Sequence, residues 1–106
     1  MTDGQLVLTM LPTADAAAEI ARTLVEERLA ACGNLVPAIR SIYRWQDKIE
    51  DTNEVLLLLK TRTEHFERLK GRILELHPYE VPEVIALPID AGHAPYLSWL
   101  RAAVGE

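Results

Sequence analysis

Two alternating segments, residues 35–46 and 49–61, constrain this chain more than anything else in it. In the first, Ile39, Ser41, Tyr43 and Trp45 fall on one face and Arg40, Ile42 and Arg44 on the other, the period of two that marks a strand. The second ends in Val55-Leu56-Leu57-Leu58-Leu59-Lys60, and Gln46-Asp47-Lys48 between them reads as the turn. A strand of about 12 residues spans roughly 40 Å. A folded chain of 106 residues has a diameter of about 30 Å or slightly more. The hairpin therefore overhangs its own core and carries Tyr43 and Trp45 with it. A projecting ribbon is marginally stable and its open edge invites pairing, so another copy of the chain is its expected cover. Pro37 inside the first strand points to a sheet edge or a bulge.

The remaining segments fit around that hairpin. Residues 5–11 are a nearly all-apolar run, expected as a central strand. Thr13 can cap the helix that follows, with Asp15 in its positively polarised first turn. Ile20, Ala21, Leu24, Val25, Leu29 and Cys32 make one stripe of that helix, and Gly33-Asn34 is the expected stop. Thr61-Arg62-Thr63-Glu64 resembles a capping box for a second helix, whose buried stripe is Phe66, Leu69, Ile73 and Leu76. Residues 84–89 read as a strand, and Pro95 opens a last short helix with Leu97 and Leu100 buried. The order β-α-β-β-α-β plus a terminal helix is the α+β, ferredoxin-like split βαβ pattern in a single domain.

Between the second helix and the strand after it lies His77-Pro78-Tyr79-Glu80-Val81-Pro82-Glu83. Each proline lacks an N–H and pushes its predecessor out of helical geometry, so the segment is stiff and extended. As a connector it needs no function; as a loop it presents an imidazole, a phenol and carboxylates in a fixed arrangement.

Charge and cysteine content remove several classes of function. With a formal charge of −5 and scattered Lys and Arg residues, a phosphate-backbone partner is not expected. No window approaches the roughly 20 apolar residues that span a bilayer. Met1-Thr2-Asp3-Gly4 is acidic and residues 6–11 are too short for a secretory core, so a cytoplasmic setting is expected. Cys32 is the single cysteine, which fits a reducing compartment and, on its helical stripe, a small buried hydrophobe. The histidines 65, 77 and 93 lie in separate segments without helical pairing, and no Cys-x-x-Cys, phosphate loop or nucleophile elbow occurs. His65 is expected on the solvent side of its helix and His93 at a turn. No catalytic set assembles.

What remains is a set of polar and aromatic residues at element ends. Lys60 closes a long apolar strand, as a snorkelling end residue or a counter-charge. Tyr43, Trp45, Tyr79, Tyr96 and Trp99 are amphipathic types that want one wet end, which suits interfaces and clefts. A ligand cleft between subunits is therefore expected from Tyr43, Trp45, Lys60, Tyr79, Glu83, Tyr96 and Trp99. Lys60 and Glu83 would be its charged pair for a polar or anionic ligand.

The run Ile20-Ala21-Arg22-x-Leu24-Val25-Glu26-Glu27-Arg28-Leu29-Ala30-Ala31-Cys32 resembles the CutA family, the divalent-cation tolerance proteins. So do Ser41-Ile42-Tyr43-Arg44-Trp45, Leu59-Lys60-Thr61, His77-Pro78-Tyr79-x-x-Pro82-Glu83 and Tyr96-Leu97-x-Trp99. The resemblance implies a ferredoxin-like subunit in a tight homotrimer, a PII-like assembly, a cytoplasmic setting and no established reaction. It also implies a loose association with copper and other divalent cations. Three departures bear on that. Asp47 stands where the family's turn commonly has Gly. Thr9 stands where some members carry a copper-associated Cys. Leu76 stands where those members have a second His. Only His77 carries over, as a weak metal ligand. The resulting expectation is a trimeric binding or signalling module, not an enzyme. The alternatives are a structural scaffold for a partner protein and an uncharacterised activity in the intersubunit cleft.

Overall fold

Thr13 starts the first helix as its composition requires: the side-chain oxygen accepts the N–H of Ala16, and Asp15 sits in the first turn. The computed structural model describes residues 2–105. Their elements are β1 (Gly4–Leu11), α1 (Ala14–Glu26), β2 (Cys32–Trp45), β3 (Lys48–Arg62), α2 (Phe66–Leu76), β4 (Ile85–Pro88) and α3 (Ala94–Ala103). One antiparallel sheet has the order β2-β3-β1-β4. β3 thus splits the β1-α1-β2 unit, and β1 splits β3-α2-β4, as the ferredoxin-like reading requires.

Strand alternation sorts the sheet into two faces. Val7, Leu11, Val55, Leu57 and Leu59 pack with Ala17, Ile20, Ala21 and Leu24 of α1 and Leu69 and Ile73 of α2. The intervening residues turn away from these helices. Leu6, Leu8 and Met10 of β1 lie in register with Lys60, Leu58 and Leu56 of β3, and Leu6 and Leu8 also with Leu87 and Ile85 of β4. α3 packs at one end through Leu100 and Val104 against Ala31.

The hairpin overhangs as its length demands: the molecule measures 44 × 25 × 22 Å. Gln46 and Asp47 both take positive φ (51° and 64°), the left-handed pair a two-residue hairpin turn needs. Asp47 therefore supplies the geometry that Gly would have given. Pro37 does mark an irregular edge: the register with β3 shifts between Val36 and Ile39, and Ala38 has φ 62°.

Several local expectations are corrected. α1 stops at Glu26 rather than near Cys32, because Arg28 takes φ 60° and the N–H groups of Leu29 and Ala30 close onto the Leu24 carbonyl. Gly33 lies inside β2 with no positive φ, Cys32 opens that strand half-buried, and Val25 is exposed. The capping box does not form: Thr61 is buried and its hydroxyl donates to the Leu29 carbonyl, while Glu64 pairs with Arg62. His65 is 1% exposed rather than solvated, since a 3-10 turn over Thr63–His65 rotates it inward before α2 begins. Among the described residues, neither of its ring nitrogens has a hydrogen-bond partner.

Candidate functional site

The stiff loop of residues 77–83 folds over the helix-free side of the sheet near the hairpin. Between them lies a cleft of about 720 Å³ whose lining includes Tyr43, Trp45, Glu54, Tyr79 and Glu83. β2 supplies Tyr43 and Trp45, β3 supplies Glu54, and the proline-bounded loop supplies Tyr79, Glu80 and Glu83.

His77 fixes the loop from beneath. It is 8% exposed, with Nε2 2.8 Å from the Met10 carbonyl and Nδ1 3.1 Å from the Tyr79 N–H. A carbonyl can only accept and an amide N–H can only donate, so Nε2 carries the proton and Nδ1 is the acceptor. Burial lowers the imidazole pKa below its usual value, against the opposing pull of the Met10 carbonyl and the Glu54 charge. The Tyr79 ring stacks at a tilt, 4.8 Å from that of His77. Its hydroxyl donates to Glu54 Oε2 at 2.7 Å. Burial first, and then this bond to a carboxylate, hold the phenol well above the usual tyrosine range.

Lys60, Tyr96 and Trp99 stand elsewhere within one subunit. Lys60 is the register partner of Cys32, and its Nζ donates to Asn34 Oδ1. Cys32 Sγ lies 3.8 Å from the Tyr96 hydroxyl, and the Tyr96 and Trp99 rings are 5.5 Å apart. Met10, in the cleft, pairs with Leu56, so Lys60 lies four residues further along β3, about 13 Å away. The seven residues thus form two clusters: Tyr43, Trp45, Tyr79 and Glu83 at the hairpin, and Lys60, Tyr96 and Trp99 at the opposite end.

The comparisons with known proteins agree with this architecture. The family model described as CutA1 divalent ion tolerance protein matches residues 5–103. The chain belongs to the CutA family. It is 52% identical over 101 residues to the divalent-cation tolerance protein CutA of Thermus thermophilus, covering 95% of this chain and 98% of that protein. It is likewise 52% identical over 90 residues to the human protein CutA, covering 85% of this chain but 50% of the human one. The solved Thermus structure superposes with a TM-score of 0.93 over 96% of this chain and 99% of that one, and CutA1 from Oryza sativa with 0.95 at 39% identity, over 99% and 96% respectively.

The family's name raises the question of a metal. Among the described residues, no three His, Cys, Asp or Glu side chains come together as a set of ligands. His77 has both nitrogens engaged, and Thr9 is buried on the helix face of β1. One CutA subunit in this conformation does not fit a copper or zinc ion, which needs several converging donors at about 2 Å.

Sequence reasoning missed Glu54, the buried acceptor that anchors Tyr79. The signal was there: strand alternation puts Glu54 with Leu56, Leu58 and Lys60 on the face opposite Val55, where a carboxylate needs a partner. The His77 geometry carries a pH dependence. The unfolded imidazole takes up a proton near pH 6.5 and the folded one only below that. Stability from this group is complete above about pH 6.5 and lost as the pH falls toward the lowered folded value. The slope is at most about 1.4 kcal/mol per pH unit per subunit. Denaturant unfolding of wild type and His77→Gln across this range is expected to converge on acidification; parallel curves would refute the assignment.

Proposed function

We propose that this CutA protein works as a cytoplasmic homotrimer that binds a ligand at clefts completed between subunits and catalyses no reaction of its own. The observation that carries this reading is the helix-free face of the sheet. Leu6, Leu8, Met10, Leu56, Leu58, Ile85 and Leu87 make it apolar, and an apolar face of that extent marks an interface. The sheet also ends in two unlike open edges, β2 and β4. Edge pairing between unlike strands is heterologous, so it closes into a ring when the rotation allows. Such a ring covers the overhanging hairpin. It also offers a way for the Lys60, Tyr96 and Trp99 cluster of one subunit to approach the Tyr43, Trp45, Tyr79 and Glu83 cluster of the next.

Binding rather than catalysis is supported by the network in the cleft. His77 has no free nitrogen, and Tyr79 holds its proton against Glu54, so neither serves as an acid or base in this state. The cytoplasmic setting rests on the lone Cys32. Copper is expected to bind weakly at most, because at His77 it must displace the Met10 carbonyl or the Tyr79 N–H. Native mass spectrometry of protein purified without a metal-affinity step, followed by calorimetric titration with Cu(II) beside His77→Ala, tests both parts. The expected result is a trimer without stoichiometric metal, and weak Cu(II) uptake that depends on His77. A folded monomer, or tight binding that survives the substitution, overturns the reading.

A further inference from the structure

The ring of His65 is enclosed, yet among the described residues neither of its nitrogens is hydrogen-bonded. On β1 the side-chain oxygen of Gln5, Oε1, is likewise buried and without a partner among them. The fold brings these two groups to one level. α2 starts where β3 ends, and β3 pairs antiparallel with β1, so the helix runs back along β1 from Gly4 toward Leu11. At its far end His77 meets the Met10 carbonyl. The twelve positions from His65 to His77 make about 18 Å of helix. The five from Gln5 to Met10 make about 17 Å of strand. Both residues also belong to inward rows. His65 leads the buried stripe that continues through Leu69 and Ile73, and Gln5 leads the row that continues through Val7, Thr9 and Leu11.

An imidazole carries at least one N–H, and a buried N–H without an acceptor is among the costlier defects of a core. Gln5 Oε1 is an acceptor, but the two are not bonded to each other. We propose that one internal water joins them, accepting the His65 N–H and donating to Gln5 Oε1. A direct bond needs nitrogen and oxygen within about 3.2 Å, whereas a water between them extends the reach to about 5 Å. An organic molecule has no way in to a ring that is 1% exposed. Among the described residues no three His, Cys, Asp or Glu side chains converge there to hold a metal. Internal waters that satisfy such groups occur about once per 27 residues, so a chain of 106 is expected to hold about four. The consequence is mechanical. The water ties the first turn of α2 to β1 as His77 ties its last, and the two anchors together set where the helix delivers the loop of residues 77–83.

The test uses the full chain in its native assembly. A high-resolution crystal structure is expected to show one water within hydrogen-bond distance of both a His65 ring nitrogen and Gln5 Oε1. A direct bond between the two side chains, or a dry site with the two groups apart, overturns the proposal. This arm uses the unaltered protein, so it decides even where a variant fails to fold. Denaturant unfolding of His65→Leu, Gln5→Leu and the double variant at one subunit concentration gives a second reading. Either single substitution leaves one end of the bridge without its partner, and the double removes both ends. The unfolding constant of the double variant is therefore expected to lie about tenfold below the product of the two single effects. Single effects that simply multiply would show that the two side chains share no partner, which overturns the bridge.

Discussion

Leu58→Glu is expected to break the assembly into folded monomers. Leu58 lies mid-way along the helix-free face, in register with Leu8 on one side and Asn34 on the other. In a single subunit it is only half-buried, so a glutamate there can still reach water and the fold survives. In a trimer closed over this face the same carboxylate is trapped against leucines without a partner. Lost burial of one leucine is worth about 1.5–3 kcal/mol, and stranding a charge adds several more. Because every subunit carries the substitution, the penalty enters three times in a trimer and dissociation shifts by many powers of ten. Sedimentation at nanomolar concentration should show wild-type trimers beside Leu58→Glu monomers with unchanged far-ultraviolet dichroism. Sedimentation identical to wild type would mean that the apolar face is not the interface.

The sequence disclosed most of this architecture because its strands are long and strictly alternating. The hairpin, its turn at Gln46-Asp47, the irregular edge at Pro37 and the stiff loop from His77 to Glu83 all follow from residue types at known spacing. Local geometry beyond periodicity was less visible. An arginine in left-handed conformation gives no signal that a helix ends at Glu26, so Leu29 and Cys32 looked like a continuing stripe. A single 3-10 turn reversed the side on which His65 lies. The candidate site shows the same boundary. Tyr79 and Glu83 stood out through the prolines that bound their loop, and alternation tells which face a residue occupies, so it placed Tyr43 with Trp45. It does not tell how far along a strand of 15 residues two side chains must be to miss each other. Lys60 therefore sits with Asn34 and Cys32 rather than with Glu83 inside one subunit.

Gly33 illustrates how a glycine can be required for space alone. It has no positive φ, so its role is not conformational freedom. A Cβ built there would sit 2.9 Å from the Cβ of Ala21 and 3.2 Å from a methyl group of Leu59. Carbon atoms rest at about 3.5–4.0 Å, and the Ala21 methyl is fixed to the α1 backbone, so the helix itself must move. Gly33→Ala is expected to destabilise the subunit by about 1–3 kcal/mol and Gly33→Val by more, a large part of the 5–15 kcal/mol typical of a domain. The obstacle is one methyl group, so removing it elsewhere should relieve the strain. Ala21→Gly alone costs about 1 kcal/mol in helix propensity plus its lost packing. Combined with Gly33→Ala, it should leave the protein more stable than the sum of the two single effects by at least about 1 kcal/mol. Denaturant unfolding of the four proteins at one subunit concentration measures this coupling, since dissociation would otherwise shift the midpoints. Additive effects would show that α1 does not meet the sheet at Gly33, and with that the packing that holds the helices to β2 and β3 would have to be redrawn.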